Sequence, residues 1–176
     1  MKTIVLMRHA KAEQDSEKSD FERELTADGI RVAGETGTAF RSIGLSIDRI
    51  IASSSARTRQ TANLVAEAMQ SGAERQDLDE LYLARPKQIK DAIRGQETDD
   101  ETSVLIVGHN PGIASVICRW ADESLAVPPA TVAVFESTAD TWADVRRKAG
   151  HAPALVFLLR DGKVVWRRDA TTSEPE

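Results

Sequence analysis

Short apolar runs alternate with amphipathic stretches along most of this chain. The runs are rich in Ile, Val and Leu and are typical of strands buried inside a sheet. They lie at residues 3–7, 47–52, 103–107, 131–135 and 154–159. Between them, apolar residues recur every three to four positions, which predicts helices at residues 27–41, 56–70, 87–95 and 111–121. Strands that alternate with helices predict an α/β fold, in which three α/β/α layers surround a mainly parallel, mixed sheet.

Local signals refine the first predicted helix. Thr26 is a suitable N-cap residue, because its hydroxyl can accept a hydrogen bond from a free backbone N–H group. The expected buried face carries Ile30, Ala33, Gly37 and Phe40, which share one side at helical spacing.

Three other segments have specific expectations. The last predicted helix should begin with Asn110 as its N-cap and Pro111 in the first helical position. Residues 78–83 form either a further strand or an irregular connection. Residues 163–166 should pair with the preceding strand in a hairpin across Asp161 and Gly162.

Basic and imidazole side chains follow three of the predicted strands, at the point where each strand ends. Arg8 and His9 follow the first strand, Arg57 follows the second, and His109 follows the strand at 103–107. Because the carboxyl ends of parallel strands meet at one edge of a sheet, we expect these side chains to converge there. Two histidines and two arginines beside helix N-termini predict a site for a phosphoryl group.

The residue types match the needs of phosphoryl transfer to a protein nucleophile. His9 can be that nucleophile, because a neutral imidazole attacks phosphorus without prior deprotonation. Arg8 and Arg57 can hold the phosphoryl oxygens in forked geometry. His109 can add a further hydrogen-bond donor when it is protonated beside the dianion.

Each of these motifs, taken alone, has an ordinary structural explanation. Arg8 and His9 could be a surface pair, and the segment from Gly108 to Gly112 could be a turn with a capping Asn. The same chemistry at three strand ends favours a site over coincidence. Arg59, two residues after Arg57, is expected to point to solvent.

The general acid is an open point. Glu80 is the best-placed candidate in the sequence, and an ordinary surface carboxylate explains it equally well. A metal held by His9 and His109 with a carboxylate is disfavoured, because Arg8 and Arg57 would repel a cation. We therefore expect neither a metal nor a cofactor.

Composition narrows the class of protein. The chain has 176 residues, a formal net charge of −5 and one cysteine, Cys118. The acidic balance argues against a nucleic-acid partner, and a single cysteine excludes an internal disulfide. The N-terminal apolar run is too short for a signal peptide or a membrane span, so we expect a cytoplasmic protein without a membrane partner. We expect one domain over residues 1–168 and a disordered tail over 169–176.

These motifs resemble those of the histidine phosphatase superfamily, and most closely those of its SixA-type phosphohistidine phosphatase branch. The matching segments are residues 7–10, 20–29, 53–62, 80–82 and 107–112, in the family's order and spacing. Ala10 stands where Gly is commoner, and Glu24 and Ser54 replace frequent prolines, but none of these changes removes a functional group.

The resemblance implies a phosphoglycerate-mutase-like fold. It also implies that His9 is the phosphorylated nucleophile and that Arg8, Arg57 and His109 form the phosphate pocket. The resemblance implies neither a metal nor any other cofactor.

The sequence thus favours a metal-independent phosphatase that acts through a phosphohistidine intermediate on protein phosphohistidine. An imidazole that is already protonated can leave without a strong general acid, and the connections around the site are short, which suits a phosphorylated side chain on a folded protein. Two alternatives stay open: a phosphomonoesterase of the same superfamily that acts on a small phosphate ester, and a non-catalytic module that binds phosphoproteins.

Overall fold

In the computed structural model, which describes residues 1–14, 17–96, 98–145 and 150–169, all the named strands belong to one sheet. The strands are β1 (Lys2–Arg8), β2 (Arg49–Ser53), β3 (Glu74–Leu78), β4 (Ser103–Gly108), β5 (Val132–Ser137), β6 (Ala154–Arg160) and β7 (Lys163–Arg167). The helices are α1 (Ala27–Ser42), α2 (Ala56–Met69), α3 (Pro86–Arg94) and α4 (Gly112–Ala121). Short 3₁₀ turns cover Asp20–Glu22, Asp79–Leu81 and Trp142–Asp144.

The order of strands brings the predicted site residues together. It runs β3-β2-β4-β1-β5-β6-β7, with β3, β2, β4 and β1 parallel and the remaining pairs antiparallel. In the register of β1 on β4, Arg8 pairs with Gly108, so the residues that follow, His9 and His109, leave the sheet side by side. The predicted mixed α/β sheet is confirmed.

Two apolar cores, one on each face of the sheet, complete the three predicted layers. Ile4 and Leu6 of β1 point into a core shared with α3 and α4. Val5 and Met7 point to the other face, where α1 and α2 pack. Alternate residues of one strand therefore serve opposite cores, which explains why β1 is apolar without a break.

The prediction of the buried face of α1 is wrong at one position, Ile30. Thr26 caps the helix as expected, since its hydroxyl accepts a hydrogen bond from the backbone N–H of Gly29 at 3.0 Å. Ile30, however, is 46% exposed. The buried stripe is turned toward Gly29, where a Cβ would lie only 2.1 Å from the carbonyl oxygen of Lys11. Because of this close approach, the side of α1 that carries Gly29 faces inward, and Ile30 is left exposed to solvent.

Of the two alternatives for residues 78–83, the irregular connection is confirmed, and the strand of this region lies earlier in the chain. It covers Glu74–Leu78, and the segment at 79–81 is a 3₁₀ turn. This strand is mostly polar and occupies the edge of the sheet, where it pairs with β2. Hydrophobic periodicity carries no signal for such a strand.

The start of α4 also differs from the prediction. The helix begins at Gly112, and Pro111 occupies the N-cap position. The side chain of Asn110 instead donates a hydrogen bond to the carbonyl oxygen of Val127 at 3.0 Å. The hairpin of β6 and β7 across residues 161–162 is confirmed.

Three further observations bear on the sequence predictions. Cys118, the single cysteine that excludes an internal disulfide, is half-buried. Among the described residues, no helix is long and apolar enough to cross a membrane. The predicted tail, apart from Asp169, lies at 170–176, outside the described residues, and the single domain over 1–168 stays a prediction.

Candidate active site

Three neighbouring strands deliver the candidate residues to one edge of the sheet. Arg8 ends β1 and His9 follows it, Arg57 lies in the first turn of α2 just after β2, and His109 follows β4. The backbone N–H of His9 donates to the carbonyl of Gly108 at 3.0 Å, which joins the two histidine-bearing loops. The ring centres of His9 and His109 lie 5.2 Å apart, so the predicted convergence of these side chains is confirmed.

His9 is held in one tautomer. Its Nδ1 lies 2.8 Å from the carbonyl oxygen of Ala10, which can only accept, so Nδ1 carries the proton. Its Nε2 is therefore unprotonated, and the lone pair of Nε2 accepts a hydrogen bond from Nε of Arg57 at 3.3 Å. Burial, together with the charges of Arg57 and Arg8, lowers the pKa of His9 to about 4. A neutral imidazole with its Nε2 lone pair directed at Arg57 is a competent nucleophile.

His109 is also neutral and oriented. Its Nδ1 faces Nη2 of Arg57 at 3.3 Å, and its Nε2 lies 2.8 Å from Oγ of Ser53. Since the guanidinium only donates, Nδ1 accepts and Nε2–H donates to Ser53. Burial lowers the pKa of His109 to about 3, with further contributions from His9 and Arg57. A bound dianion would raise that pKa and let Nδ1 become a donor.

Arg57 is buried and is the centre of the site. Its Nε and Nη2 donate toward the two histidines, and its Nη1 and Nη2 donate to the backbone oxygen and the carboxylate of Asp20. The guanidinium therefore donates hydrogen bonds to the two histidines on one side and to Asp20 on the other. A phosphoryl group at His9 would meet the N–H groups on the histidine side, because Asp20 engages the other side.

Asp20 is a site residue that the sequence reasoning missed. Its carboxylate accepts hydrogen bonds from Arg57 at 3.0 Å, from Nε of Arg23 at 3.1 Å and from the hydroxyl of Tyr82. These bonds, first that of Tyr82 and then those of Arg23 and Arg57, hold the pKa of Asp20 well below its usual range. The only signal for Asp20 in the sequence is its position in the segment 20–29, which matches the family, and that match does not indicate what Asp20 does.

Tyr82 is the second residue that sequence reasoning did not assign. Its ring meets that of His109 edge to face at 5.5 Å and 89°, and its hydroxyl donates to Asp20. The guanidinium of Arg57 lies 6.0 Å from the centre of the same ring. Tyr82 therefore forms one wall of the site.

Arg8 borders the site with part of its guanidinium free. Its Nη1 donates to the carbonyl of Val127 at 3.0 Å, while its buried Nε has no partner among the described residues. Burial lowers the pKa of Arg8, and its charge lowers the pKa of His9 and His109. The positive charge of Arg8 acts on both histidines, which suits a site for an anionic ligand.

The remaining predicted residues lie outside this cluster. The side chain of Arg59 is 58% exposed and faces Asp77 at 3.6 Å, which confirms that it points away from the site. Glu80 is exposed on the 3₁₀ turn, and its carboxylate has no hydrogen-bond or ion-pair partner among the described residues. Its role as a general acid stays a prediction. The described residues also contain no group of three or more His, Cys, Asp or Glu placed to hold a metal.

Comparison with known proteins identifies the family of this chain. The model of the histidine phosphatase superfamily, branch 1, matches residues 4–85. A candidate phosphohistidine phosphatase SixA from Nakamurella multipartitia has a similar structure, with a TM-score of 0.75 and 31% identity over 90% of this chain and 95% of that one. An uncharacterized protein of Mycobacterium tuberculosis is 33% identical over 79% of this chain and 91% of its own length.

A more distant structure shares the fold. The protein histidine phosphatase SixA complexed with tungstate has a TM-score of 0.76 at 17% identity and covers 90% of this chain and 97% of that one. The chain belongs to the histidine phosphatase superfamily and to its SixA-type branch. The phosphoglycerate-mutase-like fold is likewise confirmed, and the family is one of phosphatases.

Proposed function

We propose that the protein is a metal-independent phosphatase that removes the phosphoryl group from phosphohistidine on a protein, with His9 as the nucleophile. The observation that carries this proposal is the state of His9. Its Nδ1–H is held by Ala10, and its Nε2 lone pair faces the Arg57 guanidinium at 3.3 Å.

In the first step, Nε2 of His9 attacks phosphorus. A bond forms between Nε2 and phosphorus as the bond between phosphorus and the substrate imidazole breaks. The leaving imidazole takes the electron pair of that bond and, with a proton already on its other nitrogen, departs neutral. In the second step, a water oxygen forms a bond to phosphorus as the bond between phosphorus and Nε2 of His9 breaks. The electron pair of that bond returns to Nε2, the proton lost by water passes to the solvent, and orthophosphate leaves with His9 again neutral.

The surrounding cations stabilise the charge on the transferring phosphoryl oxygens. Arg57 directs two donors to the histidine side, and the buried Nε of Arg8 has no hydrogen-bond partner in the described part of the chain. His109 supplies a third donor once the dianion has raised its pKa. Fixed donors in a buried pocket are effective because they need no reorganisation during the reaction.

The leaving group distinguishes phosphohistidine from a phosphate ester. An alkoxide must be protonated as it leaves, whereas a protonated phosphoimidazole need not be. Asp20 is tied to two arginines and has a pKa well below the usual range, so it is a poor proton donor. Within the part of the chain that the structure describes, the carboxylate of exposed Glu80 forms no hydrogen bond or ion pair with a site residue. This favours phosphohistidine over a small phosphate ester, which remains the alternative substrate class.

Covalent labelling tests the proposal. A protein carrying ³²P-phosphohistidine is mixed with this protein in EDTA, and the reaction is quenched rapidly in base. We expect acid-labile, base-stable label on the unmodified protein and none on His9→Ala. His151→Ala is the matched control, because the carbonyl of His151 is bound at Ser137, which pairs with Lys2 at the opposite end of β1.

Three outcomes would contradict the proposal. Equal labelling of His9→Ala would reject the nucleophile. Tight binding of the phosphoprotein with neither label nor turnover would favour a binding module. A large preference for small phosphate esters over phosphohistidine would reject the substrate class.

A further inference from the structure

An exposed aromatic ring lies next to the site wall. Phe21 belongs to the 3₁₀ turn that carries Asp20, and its ring meets that of Tyr82 edge to face at 5.1 Å and 73°. Phe21 is 38% exposed, although a ring of this size gains free energy when it is buried. The turn therefore presents an apolar ring to solvent beside the reacting groups.

Several contacts fix Tyr82, the inner member of this pair. Its hydroxyl donates to Asp20, its ring packs against His109, and the guanidinium of Arg57 lies near its centre. Because Tyr82 is anchored at its hydroxyl and along its ring, it gives Phe21 a rigid surface to pack on. A continuous series of rings then leads from His9 through His109 and Tyr82 to Phe21.

We propose that Phe21 and Tyr82 form a leaving-group subsite that takes a planar aromatic ring bonded to the phosphoryl group. This inference rests on the proposed function, since it assumes that the phosphoryl group sits between His9 and Arg57. The leaving group then extends from the phosphate pocket toward solvent along the Tyr82 wall. An imidazole of phosphohistidine and the ring of an aryl phosphate share the chemistry that this surface recognises.

The physical basis is the electrostatics of aromatic rings. Ring pairs prefer edge-to-face or offset arrangements, which add to the free energy of burial. A protonated phosphoimidazole also carries positive charge, which the faces of Phe21 and Tyr82 attract. An alkyl leaving group makes neither interaction, so the subsite would favour aromatic leaving groups over alkyl ones.

A purely structural role for Phe21 predicts something different. If the ring only packs on Tyr82 to hold the turn in place, its loss would disturb Asp20 and Arg57. All ligands of the phosphate pocket would then weaken alike, whatever group is attached to phosphorus. The two roles therefore differ in their dependence on the leaving group.

Binding of two phosphonates separates these roles without any turnover. Affinities for phenylphosphonate and methylphosphonate are measured by isothermal titration calorimetry with the full chain, Phe21→Ala and Phe21→Leu. We expect the unmodified protein to prefer phenylphosphonate, and the ratio of affinities to fall about 2- to 10-fold in Phe21→Ala, the usual scale of one aromatic contact. Phe21→Leu should lose most of the same preference, because it keeps apolar area without the ring. Trp166→Ala is the matched control, since Trp166 is a 44% exposed aromatic residue on the far edge strand β7.

The outcomes separate this proposal from the proposed function. Equal affinity of the unmodified protein for both phosphonates, an equal loss on both in Phe21→Ala, or failure of both to bind overturns the subsite. His9 labelling by phosphohistidine could still succeed in each of those cases. Conversely, a fall in the ratio without His9 labelling keeps the subsite and rejects the proposed function. Comparing kcat/KM for a phosphohistidine peptide with that for phenyl phosphate then decides which aromatic source is preferred.

Discussion

The carboxylate of Asp20 accepts a hydrogen bond of 3.0 Å from Nη2 of Arg57, the same nitrogen that faces His109 at 3.3 Å. Asp20 thus binds the outer side of the Arg57 guanidinium, while the inner N–H groups of Arg57 point to the two histidines. The side chain of Asp20 is 48% exposed at the mouth of the site, so it reaches the buried Arg57 from the solvent side. We interpret Asp20 as a positioning residue that acts through Arg57.

Replacing Asp20 tests this interpretation. We expect Asp20→Ala to lower kcat/KM about 10- to 100-fold, by analogy with the loss of outer partners that orient metal ligands. Because Asp20 acts through Arg57, the same replacement should have little further effect in an Arg57→Ala background. The measurement is a double-mutant cycle on kcat/KM, with Asp20→Glu as the conservative variant expected to restore part of the activity.

Glu22→Ala is the matched control for Asp20, because Glu22 lies in the same 3₁₀ turn and its carboxylate bonds only Ser19 among the described residues. It should leave kcat/KM unchanged. If Asp20→Ala lost the same factor with and without Arg57, the residue would act on the site by another route.

A second prediction compares two arginines of one helix. Arg57→Ala should lose roughly 2.7–4 kcal/mol of transition-state stabilisation, the scale for removal of one preorganised donor. Arg59→Ala should change activity far less, because its side chain is 58% exposed and faces Asp77. Steady-state kcat/KM on one substrate measures both variants, and equal losses would contradict the assignment of Arg57.

A third prediction concerns pH. Burial lowers the pKa of His9 to about 4 and that of His109 to about 3, whereas an unfolded histidine titrates near ~6.5. Between these values the unfolded chain binds more protons than the folded one, so stability falls as the pH falls from about 6.5 toward 4. Each histidine contributes a slope of up to about 1.4 kcal/mol per pH unit.

Urea unfolding at pH 7, 6 and 5 measures this slope. His9→Asn should reduce it by about half, since one of the two histidines is then absent. Imidazole NMR on the folded protein gives the direct check. Titration of His9 or His109 near pH ~6.5 would show that burial does not hold these rings neutral.

A fourth prediction tests Glu80 through the leaving group. Glu80→Gln should barely slow phosphohistidine hydrolysis, because a protonated imidazole leaves without a general acid. If Glu80 is the acid for esters, the same change should slow an alkyl phosphate by roughly 10²–10⁴-fold. Measurement of kcat/KM for both substrates in both proteins decides this, and a large, equal loss on the two would mean that Glu80 also serves phosphohistidine.

Local patterns determined much of this protein. Apolar runs predicted β1, β2, β4 and β5, because strands buried on both faces need continuous apolar residues, and a similar run predicted the partly buried β6. Cations and imidazoles after three of those strands predicted the convergence of His9, Arg57 and His109, since parallel strands end at one edge of a sheet. These inferences depend on periodicity and chain direction, which the sequence records directly.

Only the tertiary structure decided features that depend on a neighbour distant in the chain. β3 is polar and exists through its pairing with β2, and Ile30 is exposed because the close packing of Gly29 on Lys11 sets the rotation of α1. Asp20 and Tyr82 join the site through contacts spanning 37 and 62 residues of sequence. An aspartate and a tyrosine at such separations leave no local pattern, because their partners are chosen by the packing of the loops and not by the residues beside them.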